Sequence, residues 1–328
     1  MPRVATADGP RFMDGALSVL AGVSRLLERR MHSGRERQKA IKSAILRWYR
    51  KNARSFPWRR TRNPYRILLS EVMLQQTQTS RVVEKYPRFL RRFPTFQALA
   101  RARRSSVIRA WQGMGYNNRA VRLQQLARAV MREHGGRLPR DPQLLQQLPG
   151  IGRYTAHAIA CFAYGENVPV VDTNVRRVLA RLFPQLARNG DIWQLATALL
   201  PKQRAYDWNQ ALFDFGATIC TARAPRCATC PVNRCCPSAF CVEPVRPKPN
   251  RPEPRRNGVP NRIYRGRIIE LLRQSRRPLP SNWIGRRIKE DFGPSDHSWL
   301  HALLRSLERD GLVTIANSSS TLRVTLAE

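Results

Sequence analysis

Four cysteines, Cys220, Cys227, Cys230 and Cys236, stand in the spacing C-x6-C-x2-C-x5-C. Thiolates are soft donors, and four of them within seventeen residues can wrap one metal centre. The long first gap leaves room for a loop before the tight C-x2-C pair closes. Disulfides are the alternative, but residues 1–51 hold no apolar run of signal-peptide length, and cysteine clusters in an intracellular chain are more often metal sites than crosslinks. A zinc ribbon normally needs two C-x2-C knuckles, and this chain has one. The spacing therefore favours iron–sulfur ligation over zinc. Cys235 and Cys241 do not fit it, and Cys161, in AHAIACFAYG, reads as a small core residue.

Two carboxylates stand out next. Glu71 lies in RILLSEVMLQQTQ with Ile67, Leu68 and Leu74 at helical spacing around it. A helical Glu is usually exposed; among apolar neighbours its pKa rises and it can hold a proton near neutral pH. Asp172, in VVDTNVRRVLARLF, opens a helix whose apolar face carries Val175, Val178, Leu179 and Leu182. An N-cap role suffices to explain an Asp there, and the same helix end would keep the carboxylate ionised. Between the two lies LPGIGRYTAHAIA, residues 148–160. Gly150 and Gly152 permit a tight turn between two helices and let backbone N–H groups, with Arg153 beside them, approach a phosphate oxygen.

The elements that must position these residues follow from the wider pattern. Residues 1–37 form an extension with one amphipathic stretch, 15–30. From 38 to 242 helical periodicity dominates. The segment 243–260, EPVRPKPNRPEPRRNGVP, reads as an extended basic linker. Residues 261–328 read as a small separate unit: helices over 262–273, 282–291 and 296–309, then strands GLVTIA and TLRVTL, with Trp299, Leu300, Leu303, Leu304 and Leu307 as its core. That order suggests a winged helix. The chain has 328 residues and a net charge of +37, from 59 Lys and Arg against 22 Asp and Glu. A high-GC genome could inflate Arg without function, but charge of this size suits a polyanion such as nucleic acid. No run of eighteen apolar residues occurs, so a soluble, cytoplasmic and, in a bacterium, nucleoid-associated monomer is expected.

LPGIGRYTA, then VDTNV, then the four-cysteine loop resemble, in order and spacing, the helix-hairpin-helix superfamily of DNA glycosylases. SEVMLQQTQ, residues 70–78, is similar to the signature of the MutY-type adenine glycosylases. The resemblance covers residues 57–236. It implies an all-α fold with a six-helix barrel lobe and an iron–sulfur lobe, a 4Fe–4S cluster on Cys220, Cys227, Cys230 and Cys236, and double-stranded DNA as partner. Glu71 would protonate the leaving adenine and Asp172 would stabilise the cationic sugar, with Tyr154 and Asn174 supporting them. Bifunctional members place a Schiff-base Lys where this chain has Tyr154, which implies a monofunctional enzyme. Gln76 and Tyr116 match residues that wedge into the duplex beside the lesion.

The substrate implied is adenine opposite 8-oxoguanine or guanine. A thymine or uracil mismatch glycosylase is the alternative, although such enzymes generally lack the Glu. A non-catalytic DNA-binding protein on the same scaffold is the alternative of another class, and the retention of both carboxylates speaks against it. The chain departs from its relatives in two places. Asn117 stands where adenine glycosylases often carry a second Tyr. Residues 261–328 are too short, and lack the Glu cluster, for the Nudix-like domain that typically reads 8-oxoguanine. The C-terminal unit is expected to add sequence-independent affinity and to leave the opposite-base preference to the core.

Overall fold

The computed structural model of the protein describes residues 34–241, 253–318 and 321–328. The amphipathic stretch 15–30 and the Pro/Arg segment as far as residue 252 lie outside them. The chain divides into two compact units that share it discontinuously. One holds residues up to 53, 173–199 and 210–244; the other holds 54–172, 200–209 and 245–328.

The larger unit is built around one helix. Asn63 caps α2 (Pro64–Leu74) by accepting from the Arg66 N–H at 3.1 Å, and Pro64 supplies a preset first turn. From Tyr65 to Met73 every side chain of α2 except Arg66 is buried, as expected for a helix surrounded by others. Against it pack α3 (Thr79–Arg92), α6 (Asn118–Glu133) and α8 (Arg153–Tyr164); α4 (Phe96–Arg101) and α5 (Arg104–Ala110) pack on α6, and α7 (Pro142–Gln147) on α8. Their core includes Leu68, Leu69, Met73, Phe89, Trp111 and Ile159.

The C-terminal part of this unit contains α13 (Asn261–Gln274), α14 (Ser281–Ile288), α15 (His297–Arg309) and an antiparallel sheet ordered β3 (Leu279–Pro280), β5 (Thr321–Leu326), β4 (Val313–Ser318). Leu300, Leu303, Leu304 and Leu307 are buried, whereas Trp299 is only partly covered and donates to Asn261 Oδ1. Two corrections apply to the sequence reading. The expected helix 282–291 stops at Ile288, because Lys289 turns into extended backbone and its ammonium meets Asp296 at 3.0 Å. The end of the expected linker folds back on itself. β1 (Arg255–Arg256) and β2 (Val259–Pro260) pair as a hairpin around Asn257 and Gly258, both at positive φ, as an Asn-Gly turn requires. Ile108 and Val121, on α5 and α6, belong to the same buried cluster as the C-terminal helices.

The smaller unit contains α1 (34–52), α9 (Thr173–Leu182), α10 (Pro184–Asn189), α11 (Ile192–Leu199) and the cysteine-bearing segment. The last turns of α12 (Ala205–Thr218) belong here and its first turn to the larger unit. Val175, Val178, Leu179 and Leu182 of α9 are all buried. Gly216 allows α12 to lie against α9, since a Cβ there would stand 2.8 Å from that of Asn174.

Candidate active site and cysteine pocket

Glu71 lies near the end of α2 and is 6% exposed. Its Oε2 accepts a 2.6 Å hydrogen bond from the Tyr154 hydroxyl, on the first turn of α8. Burial raises the Glu71 pKa to about 7; the Tyr154 bond and the Arg59 charge oppose the rise, and the Asp172 charge adds to it. A carboxylic acid is thus available near neutral pH, with one oxygen occupied by a phenol and the other able to carry the proton. Burial, then the proximity of Glu71 and Asp172, pushes the Tyr154 phenol well above its ordinary value, so it remains a donor.

The hairpin between α7 and α8 sets where Tyr154 stands. Asp141 caps α7 through the Gln143 N–H at 2.7 Å. Gly150 turns the chain at φ 81°, and Gly152 caps α8. Gly150, Gly152 and Arg153 are exposed, leaving the first amides of α8 open to an anion. Asp172 ends the non-helical run that follows α8. Within that run Val170 N–H donates to Asn209 Oδ1 at 2.9 Å, Asn209 Nδ2 donates to Val168 O at 3.0 Å, and the His157 ring nitrogen meets Pro169 O at 2.9 Å. The structure therefore gathers Glu71, Tyr154 and Asp172 in one unit. Asn174 lies in the other, on α9, where its Oδ1 accepts from Arg177 at 2.9 Å.

Gln76 and Tyr116 are both exposed, and both have positive φ, at 51° and 43°, a conformation uncommon for residues other than glycine. Sequence reading missed what holds them. The buried Arg119 donates to Val72 O and Met73 O in the last turn of α2 and to Gln75 O just beyond it, and to Met114 O and Gly115 O on the loop before α6. Thr77 Oγ1 also accepts from it, and its guanidinium lies 5.6 Å from the centre of the Tyr116 ring. In a chain this rich in Arg, nothing in the sequence marks which of them become buried. Asn209 and His157 escaped for a similar reason, since their partners are carbonyls and amides.

Cys220, Cys227, Cys230 and Cys236 line one pocket, walled also by Phe215, Ile219 and Val232. Burial raises the Cys230 thiol to about 11, and the other three thiols add to the rise, as expected of sulfurs facing a common space. Among the described residues, no three His, Cys, Asp or Glu side chains are grouped so as to hold a metal ion; the four thiols surround a pocket instead. Cys235 does not line it, Cys241 is exposed and Cys161 is wholly buried. Two arginines of α9 hold the cysteine segment. Arg181 donates to Thr221 O at 2.7 Å and reaches Cys220 Sγ at 3.4 Å, and Arg177 donates to Cys220 O at 2.9 Å.

Residues 69–192 match the HhH-GPD superfamily base excision DNA repair proteins. The adenine DNA glycosylase of Mycobacterium tuberculosis is 40% identical over 281 residues, spanning 82% of this chain and 89% of that protein. The adenine DNA glycosylase of Homo sapiens is 42% identical over 219 residues, 62% of this chain and 40% of that protein. Among solved structures, a thermostable thymine-DNA glycosylase superimposes with a TM-score of 0.61 at 34% identity, covering 64% of this chain and 100% of that one. The chain belongs to the adenine DNA glycosylases of the HhH-GPD superfamily of base excision repair proteins.

Proposed function

We propose that the protein is a monofunctional DNA glycosylase that removes adenine mispaired with 8-oxoguanine or guanine from double-stranded DNA. The observation that carries this reading is the buried Glu71, held by Tyr154 with a pKa of about 7 and close enough to Asp172 to feel its charge. Cleavage breaks the bond between the sugar C1′ and the adenine N9. Glu71 gives its proton to the purine, so adenine leaves neutral, and ionised Asp172 stabilises the oxocarbenium ion. Water then adds to C1′ and its released proton restores the acid. Tyr154 offers no amine for an imine, so strand cleavage is no part of the reaction. The adenine must first leave the base stack, at about a few kcal/mol, which phosphate contacts offset. Gln76 and Tyr116, exposed on the two loops that Arg119 ties together, would enter the duplex beside the mispair.

Cys220, Cys227, Cys230 and Cys236 fit a 4Fe–4S cluster better than a lone zinc ion, because four thiols around a common pocket are not drawn in to the spacing of one tetrahedral ion. Such a cluster would brace the segment that Arg177 and Arg181 hold. The chain then reads as a glycosylase core from 38 to 242, a linker whose end folds as the 255–260 hairpin, and a winged-helix-like unit from 261 to 328. It would act as a monomer in the cytoplasm.

The likeness to a thymine-DNA glycosylase gives the second reading, thymine or uracil excision. A single-turnover panel of A:8-oxoguanine, A:G, T:G and U:G duplexes separates the two. Adenine release from the first pair, with strand breaks only after alkali and no borohydride trapping, is expected. Release of thymine or uracil alone would overturn the adenine reading.

A further inference from the structure

The loop between α5 and α6 carries Tyr116, and its backbone is unusual. Gly113, Gly115 and Tyr116 all have positive φ, and Tyr116 is 55% exposed. A conformation of this kind persists only where the surroundings hold it. Arg119 holds one side. The other side is held from the C-terminal part of the unit, by Arg273 near the end of α13.

The Arg273 side chain is 6% exposed. Its Nη2 donates to Asn117 Oδ1 at 2.9 Å and to Ile108 O at 3.0 Å, and Nη1 donates to Glu270 at 2.9 Å. Asn117 stands at the N-cap of α6, where an Asn side chain ordinarily accepts from its own helix. It makes no such bond here, and its oxygen is turned to Arg273 instead. The contact is reciprocated, because Arg109 of α5 donates to Ser275 O at 2.8 Å and Gln112 of the loop donates to Glu270. A buried guanidinium deprived of an acceptor is costly, so Arg273 ties Asn117 to one place and with it the backbone of its neighbour Tyr116. Asn117 is also where the sequence departs from the second Tyr often present in adenine glycosylases.

We propose that Arg273 is a positioning residue. Through Asn117, the C-terminal unit sets the conformation in which Tyr116 is presented to DNA and so takes part in opposite-base discrimination. The proposal rests on the reading that Tyr116 enters the duplex beside the mispair. It differs from the sequence-based expectation that this unit supplies affinity alone.

The test uses the full-length protein and compares wild type, Arg273→Met, Arg273→Lys and Asn117→Ala. Single-turnover excision from A:8-oxoguanine and A:G duplexes is measured together with melting temperature and affinity for undamaged duplex. Arg273→Met should slow excision from A:8-oxoguanine about tenfold and narrow its advantage over A:G, the scale on which a misplaced contact acts. Affinity for undamaged duplex should be unchanged, and Arg273→Lys should recover part of the loss. In a Tyr116→Ala background the same substitution should add less than about twofold, because coupled residues are not additive. If Arg273→Met fails to fold, Asn117→Ala should by itself narrow the preference. An unchanged preference in the folded variants, or an equal loss with and without Tyr116, overturns the proposal. A wild type that releases no adenine overturns the underlying reading instead.

Discussion

Glu71 owes its chemistry to the removal of water from around it. Folding encloses it among α2, Tyr154 and the run that ends at Asp172, and its pKa rises from 4.5 to about 7. The acid form is lost as pH rises through about 7, so single-turnover excision should fall along that limb. Glu71→Gln should cut excision by about 10² or more and show no such limb; persistence of the limb would assign it to another group. Stability moves the same way. The folded state binds this proton more tightly than the unfolded one, so the contribution of Glu71 is fully present below about 4.5 and is lost as pH climbs past 7. Glu71→Gln should therefore add more unfolding free energy at pH 8 than at pH 5, at most about 3 kcal/mol, and raise the melting temperature more at pH 8. Equal effects at the two pH values would show that the carboxylate is not desolvated.

At the scale of elements, α9 links two sites of the smaller unit. Arg177 joins Asn174 to Cys220 and Gly216, and Arg181 holds the loop that begins at Cys220. The segment 220–241 holds only short 3-10 turns. A cluster bound by the four cysteines would crosslink this segment. Protein purified without oxygen should thus contain about four irons per chain. Cys227→Ser should lose iron and duplex affinity together, whereas Cys241→Ser should keep both. Stoichiometric zinc without iron would overturn the cluster assignment.

For the whole molecule, a net charge of +37 makes duplex affinity strongly salt-dependent. Each neutralised phosphate adds about 0.9 to the slope of log K against log salt. A variant ending at residue 242 should bind more weakly with a shallower slope. It should also be less stable, because Ile108 and Val121, 0% and 2% exposed, lose their cover, at about 1.5–3 kcal/mol for each apolar side chain fully uncovered. A melting temperature equal to that of the full chain would show that this packing contributes nothing.

Much of this was legible in the sequence because it is local. The Gly150–Gly152 turn, the apolar face of α9 behind Asp172, the apolar setting of Glu71 and the cysteine spacing are fixed by residues a few positions apart, where helical periodicity and ligand spacing act directly. The Asn257-Gly258 hairpin was equally local, yet the Pro/Arg composition around it masked the signal. Other features arise only when distant segments meet. The Tyr154–Glu71 bond spans 83 positions, and the Arg273–Asn117 bond spans 156. That Arg119 is among the arginines that become buried, and which polar side chains, such as Asn209 and His157, hold residues 168–170 ahead of Asp172, also depends on partners that are backbone groups. Such partners are present at every position and leave no mark in the sequence, so the tertiary structure alone decides which of them a side chain meets.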